Sequence, residues 1–174
     1  SVETTLIPSN SLMSNVNGAM NAVLVKGNSV GSTMYFGKGA GAEPTASAVV
    51  ADLVEISRNF DVAESSQAPA LSYQSNEIRA LKIVDNKNII SSFYLRLRVV
   101  NETGVIADIT KCLSQQKISI DAFFQNEMPK QVSTEVIILT HECCGKNLFL
   151  ALKSINLLNS VIEDPIVFRV ESLE

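Results

Sequence analysis

Residues 93–113 read FYLRLRVVNETGVIADITKCL, and the apolar period changes half-way along them. Phe93, Leu95, Leu97 and Val99 alternate with Tyr94, Arg96 and Arg98, the period-two pattern of a half-buried strand. From Val105 the apolar set becomes Val105, Ile109, Cys112 and Leu113, which is the spacing of one helix face. Gly104 stands where the two periods meet, at a position suited to a sharp change of direction.

Downstream the same two periods recur. Ile118, Ile120, Ala122 and Phe124 predict a second strand, Met128-Pro129-Lys130 a turn, and Val132, Thr134, Val136 and Ile138 a third strand. Leu148, Leu152 and Ile155 recur at i, i+4 and i+7 and predict a second helix. Ile166, Phe168 and Val170 alternate on a last strand. The order β-α-β-β-α-β is the ferredoxin-like arrangement, a four-stranded sheet with two helices on one face. It is expected to occupy residues 77–174.

Upstream lies a block of different composition, with six of the eight glycines between Gly18 and Gly41. Val2 to Ile7 reads as a strand closed by Pro8. NAVLVK (21–26) and VGSTMYF (30–36) read as a hairpin turning at Gly27-Asn28-Ser29. After Gly37-Lys38-Gly39-Ala40-Gly41 a helix is predicted, with Pro44 near its first position, where a missing N–H costs little. Ala46, Val49, Val50, Leu53 and Ile56 share one face of it, and Ala48 and Ala51 would permit close approach to a neighbouring sheet. Between Asn59 and Asn76 the chain is rich in Ser, Ala, Gln and Asn and has no sustained period. The expected division is therefore residues 1–60, a linker over 61–76, and residues 77–174. The fold class is α+β: a partial α/β segment followed by a ferredoxin-like unit.

Composition narrows the function classes. The chain has 174 residues, 46% of them hydrophobic and 18% charged, enough apolar material to exclude a wholly disordered protein. Lys plus Arg is 14 against 18 Asp plus Glu, so the net charge is 14 − 18 = −4. No cluster of positive charge suits nucleic acid, and polar residues break every apolar run well short of the roughly 18 that a membrane-spanning helix needs. Cys112, Cys143 and Cys144 cannot all pair within one chain, so a reduced, cytoplasmic setting is expected. His141 is the only histidine, and the run His141-Glu142-Cys143-Cys144 lacks the ligand spacing of a zinc site, so no metal is expected. One histidine also leaves little for a nucleophile–base pair. The chain begins Ser-Val-Glu without Met, as a piece excised from a longer protein would.

The glycine run at 37–41 follows a strand and precedes a helix, where backbone can approach a ligand closely and helix N–H groups attract anions. It is not a P-loop, since Lys38 lies between glycines, nor the dinucleotide fingerprint, since Glu43-Pro44 follows and no ribose-binding acid closes a βαβ unit. Read from spacing alone, a structural turn and a ligand-facing loop both remain open.

The run Gly37 to Leu53, GKGAGAEPTASAVVADL, closely resembles the closing segment of the catalytic region of homoserine dehydrogenases. Leu6-Ile7-Pro8, Asn21-Ala22-Val23 and Val30-Gly31 resemble the stretch before it, so the likeness covers residues 1–60. The resemblance implies an enzyme that interconverts L-homoserine and aspartate semialdehyde with NAD or NADP. It also implies that the glycine turn meets the nicotinamide cofactor through Gly41, Gly39, Ala40 and Thr45. The family's dinucleotide unit and catalytic lysines would precede Ser1, so no catalytic residue is assigned here. Lys26, Lys38, Glu43, Asp52 and Glu55 read as solvated charges.

The second block resembles an ACT domain, a regulatory fold that binds amino acids, through LRVVNETGVIADI at 97–109. Asn101 stands where the family often has Asp, and Thr103 where it often has Pro. The resemblance implies an effector, L-threonine first among candidates, with its carboxylate at the N–H groups of Gly104, Val105 and Ile106. Asn101 and Gln125 would read its other polar groups, although Asn101 also suits a purely turn-shaping role. ACT domains pair, so a homo-oligomer is expected. A non-catalytic amino-acid-sensing module is the alternative reading.

Overall fold

The computed structural model describes residues 1–62, 73, 75–125 and 132–173. The chain divides into two compact units: Ser1–Pro8 with Ile83–Glu174, and Ser9–Lys82.

The first unit is the ferredoxin-like one. Its strands are β1 (Thr5–Leu6), β4 (Ile90–Val100), β5 (Ile120–Gln125), β6 (Ser133–Thr140), β7 (Cys143–Cys144) and β8 (Ile166–Val170), and its helices are α2 (Val105–Gln115) and α3 (Gly145–Ile155). The sheet order is β1-β8-β4-β6-β5, with the short β7 pairing the start of β4. The helices cover one face. Leu95, Leu97 and Val99 from β4, Val136 and Ile138 from β6, Val105, Ile109, Cys112 and Leu113 from α2, and Leu148, Ala151 and Ile155 from α3 form one buried cluster. Each fully buried Leu or Ile contributes about 1.5–3 kcal/mol relative to an exposed one.

Helix α2 ends on a tight device. Lys117 takes φ +58°. Its N–H donates to Ser114 O at 2.9 Å, and the Ile118 N–H reaches back to Leu113 O at 3.1 Å. This is the Schellman pattern, with lysine where glycine is usual and with buried Ile118 and Leu113 at its two ends.

Three features of this unit differ from the sequence-based expectation. Strand β1 is only two residues long, shorter than the Val2–Ile7 read from the sequence, and it pairs in parallel with β8 (Thr5↔Arg169, Leu6↔Val170). In β5 a register shift between Ile120 and Ala122 switches the faces. Ile120 pairs with buried Thr140, whereas Ala122 and Phe124 pair with Leu139 and Ile137 on the face away from the helices, and Phe124 is exposed. One extra residue in a strand does this because side chains alternate strictly. In β8 it is Val167, opposite Leu95, that packs on the core. Phe168 instead meets Tyr94 on the open face, ring centroids 6.1 Å apart. The predicted turn at Met128–Lys130 lies outside the described residues.

The second unit holds the hairpin β2 (Met20–Gly27) and β3 (Gly31–Lys38), in register from Met20↔Lys38 to Gly27↔Gly31, and helix α1 (Ala42–Asn59). These elements match the reading of the glycine-rich block. Pro44 is the third helical residue, still within the first turn, where its missing N–H has no intrahelical acceptor to lose. Burial differs from expectation. Val49, Val50, Leu53 and Ile56, read as an inner face, are all exposed, and none of the described residues of this unit is buried.

Candidate functional site

Two places singled out by the sequence bear on function, one in each unit. In the glycine-rich unit, β3 ends at Lys38 and α1 begins at Ala42, so Gly39, Ala40 and Gly41 are the connection. Gly41 has φ +122° and ψ 156°, a region essentially reserved for glycine, and its carbonyl accepts from the Thr45 N–H at 3.1 Å. A side chain at Gly41 would strain the backbone and crowd Pro44 Cδ at 3.4 Å.

The other two glycines differ from Gly41 and from each other. Neither Gly37 nor Gly39 has a positive φ. A Cβ on Gly37 would meet nothing within 4 Å, so no described neighbour demands glycine there. A Cβ on Gly39 would lie 2.5 Å from Asn21 Nδ2 and 3.0 Å from Asn21 Cγ. Asn21 faces Gly37 across the hairpin, so its side chain runs diagonally over the bare backbone of β3. In the sequence Asn21 enters only through the Asn21-Ala22-Val23 resemblance, with no role read for its side chain; the signal for one is a polar strand residue facing a glycine with a second glycine two positions on.

The start of α1 is poorly suited to phosphate. Pro44 has no N–H, the Thr45 N–H is engaged by Gly41, and Glu43 sets a carboxylate in the first turn. That carboxylate already complements the helix dipole and would repel a second anion. The loop instead offers uncharged residues, Gly39, Ala40 and Gly41, with no side chain larger than a methyl.

In the ferredoxin-like unit Gly104 is the N-cap of α2, with φ +96° and no neighbour within 4 Å of a would-be Cβ. The backbone of Asn101 is held by its N–H donating to Val132 O at 3.0 Å, and its side chain is exposed. Val105 is buried and Ile106 half-buried, so these two contribute backbone to this end rather than side chains. Gln125 ends the edge strand β5 opposite Val136, which itself faces Leu97. Asn101 lies four residues past Leu97, so the register separates Asn101 from Gln125 by about 16 Å. One chain does not bring the two together around one small ligand. A separate concavity of about 620 Å³ opens on the uncovered face of the sheet near Leu6, Tyr94, Leu139 and Val170, and none of the predicted effector residues lines it.

The remaining reactive groups are dispersed. Cys143 is buried with its sulfur 4.0 Å from Thr140 Oγ1, Cys144 donates to Lys87 O at 3.3 Å, and His141 Nε2 lies 3.9 Å from Asp121. Burial pushes the thiols of Cys112 and Cys143 above their ordinary range. Among the described residues no group of three or more His, Cys, Asp and Glu could hold a metal ion, and no helix is long and apolar enough to cross a membrane.

Comparison with known proteins bears directly on the glycine loop. The family model described as homoserine dehydrogenase matches residues 1–54, from β1 through most of α1. Over 172 residues the chain is 40% identical to the homoserine dehydrogenase of Neisseria gonorrhoeae, an alignment covering 99% of this chain and 40% of that protein. The corresponding figures for the Pseudomonas aeruginosa enzyme are 38%, 99% and 40%. The crystal structure of a homoserine dehydrogenase from Thiobacillus denitrificans superposes with a TM-score of 0.88 at 43% identity, over 99% of this chain and 38% of that one.

This chain matches the C-terminal part of homoserine dehydrogenases. It spans about 40% of the length of these curated relatives. The family model ends inside α1, but the alignment to the relatives continues through the ferredoxin-like unit, so both units belong to the homoserine dehydrogenase likeness.

Proposed function

We propose that the chain is the regulatory and cofactor-facing end of an NAD(P)-dependent homoserine dehydrogenase, which interconverts L-homoserine and L-aspartate 4-semialdehyde. The observation that carries this reading is the alignment of 99% of the chain with the Neisseria gonorrhoeae enzyme at 40% identity. Residues 1–60 then close the catalytic and dimerisation domain, and residues 77–174 form an ACT domain. The nicotinamide cofactor supplies the hydride chemistry when bound. The part played by this chain is to present the backbone of Gly39, Ala40 and Gly41, with Thr45 behind them, to the uncharged face of the ring. No general acid or base is assigned among Lys26, Lys38, Glu43, Asp52 and Glu55.

The ACT unit takes L-threonine as feedback effector. The carboxylate sits at the N–H groups of Gly104, Val105 and Ile106, where the helix dipole favours negative charge. Asn101 of one chain and Gln125 of another read the ammonium and hydroxyl groups, so the working form is a homo-oligomer. The protein is cytoplasmic, in keeping with its three free cysteines.

The test uses two proteins. A chain of the relatives' full length should oxidise NADH or NADPH in the presence of aspartate semialdehyde, and residues 1–174 alone should not. The same 174 residues should release heat with threonine and not with serine or isoleucine, and a folded Asn101→Ala, Gly104→Val double variant should lose the response. Silence up to about 10 mM threonine, beyond the weak end of the affinity scale, would make the ACT unit structural.

A further inference from the structure

The glycine loop poses a problem that the proposed function does not solve. Gly41 is explained by its backbone, but Gly39 has an ordinary φ and could carry a side chain if space allowed. The space is taken. Asn21 Nδ2 lies 2.5 Å from where the Cβ of residue 39 would be, and Asn21 Cγ lies 3.0 Å from it. Asn21 is anchored by the hairpin register opposite Gly37, and its amide reaches Ala19 O at 3.5 Å. A strand side chain that reaches over the glycine just past the end of its partner strand restricts that segment, because glycine alone leaves the backbone free to move.

We propose that Asn21 is a positioning residue for the cofactor. Its carboxamide fills the side-chain slot of Gly39 and holds residues 39–41 in the conformation that presents the backbone of Gly39, Ala40 and Gly41 to the nicotinamide. The proposal rests on the reading of this loop as cofactor-facing. Asn21 acts through Gly39 and touches no reacting atom. A methyl at residue 39 would make the exposed Asn21 carboxamide turn away, so the two groups compete for one volume.

The experiment uses the full-length enzyme and four variants: Asn21→Ala, Gly39→Ala, the double Asn21→Ala/Gly39→Ala, and Gly41→Val as reporter of the loop. NADPH binding is followed by fluorescence titration beside steady-state kinetics and thermal unfolding. Asn21→Ala should raise both the NADPH Kd and the cofactor KM about tenfold, because the loop samples unproductive positions. The KM for homoserine should change less than about twofold, with the unfolding midpoint unmoved. Gly39→Ala in the Asn21→Ala background puts a methyl into the vacated slot and should restore most of the lost affinity, whereas Gly39→Ala alone should weaken it. If Asn21→Ala leaves cofactor binding unchanged while Gly41→Val weakens it, the positioning role is wrong and the cofactor-facing loop stands. If Gly41→Val, folded, also binds NADPH normally, the loop reading falls and the proposal falls with it. Equal loss of affinity for cofactor and homoserine, or a lowered unfolding midpoint, would make Asn21 a merely structural residue and overturn the proposal.

Discussion

Asn101 and Gln125 stand on the same sheet but about 16 Å apart, two strands over and four residues along. A free amino acid is far shorter than that. A threonine site that uses both residues therefore needs two chains, and this yields a complementation test. Asn101→Ala and Gln125→Ala homo-oligomers should each lose threonine binding. After subunit exchange between equal amounts of the two, mixed dimers carry one doubly damaged site and one intact site, so about a quarter of all sites should return. Calorimetric stoichiometry measures this directly. No recovery after verified exchange would show that the two residues do not share a ligand.

Lys117 occupies the left-handed position that closes α2, with φ +58°. An L side chain there costs about 1–2 kcal/mol, and glycine would not incur it. Part of that gain is offset by the greater freedom of glycine in the unfolded chain. Lys117→Gly should therefore stabilise the ferredoxin-like unit by about 0.5–1 kcal/mol, read as a higher denaturation midpoint at unchanged slope. A destabilised variant would mean that the lysine side chain makes a contribution larger than the strain.

The ferredoxin-like unit was legible because its sequence carries the two periods cleanly. Val105, Ile109, Cys112 and Leu113, read from spacing alone, are the four residues that α2 buries. Leu95, Leu97 and Val99 are likewise the inward residues of β4. What escaped the reading depends on non-local pairing. The two residues of β1 carry too little pattern to announce a partner at the far end of the chain, and the register shift in β5 moves Phe124 to the open face without altering the alternation that predicted it. The Gly39–Asn21 contact was hidden for a related reason: glycine reads as backbone freedom, and only the hairpin register shows that a neighbour occupies its space. The glycine-loop motif and the start of α2 could be named from sequence, but the distance between Asn101 and Gln125 required the strand order.

The buried thiols give a pH prediction. Cys112 is raised from 9.0 chiefly by burial and next by the charge of Asp108, and Cys143 from 9.0 chiefly by burial, partly opposed by its Thr140 contact. In the unfolded chain both lose their protons near 9, before they do so in the folded one. Their contribution to stability is therefore complete below about pH 9 and declines as pH rises above it. Cys144 is half-exposed and should be modified first by an aromatic disulfide at pH 8, with Cys112 and Cys143 reacting only as the unit opens. Peptide mapping after timed quenching gives the order. Early labelling of Cys143 would contradict its burial.

The two units should differ in stability. Burying apolar surface is the main favourable contribution to folding, and it must offset roughly 1–2 kcal/mol of backbone entropy for each ordered residue. The ferredoxin-like unit meets that requirement with Leu95, Leu97, Ile109, Leu113, Ile138 and Ile155 fully enclosed. Among the described residues of Ser9–Lys82 none is buried, and Val49, Val50, Leu53 and Ile56 on α1, with Phe60 at its C-cap, are open to water. An 18-residue helix with that surface is only marginally stable, because helices in proteins draw most of their stability from packing rather than propensity. In residues 1–174 taken alone, amides of β4, β6, α2 and α3 should exchange slowly with solvent deuterium, and those of α1 and the β2–β3 hairpin within seconds to minutes. In a chain of the relatives' full length, α1 should become protected as its apolar face is covered. Slow exchange of α1 in the 174-residue chain would show that this unit holds itself together by contacts other than a core of its own.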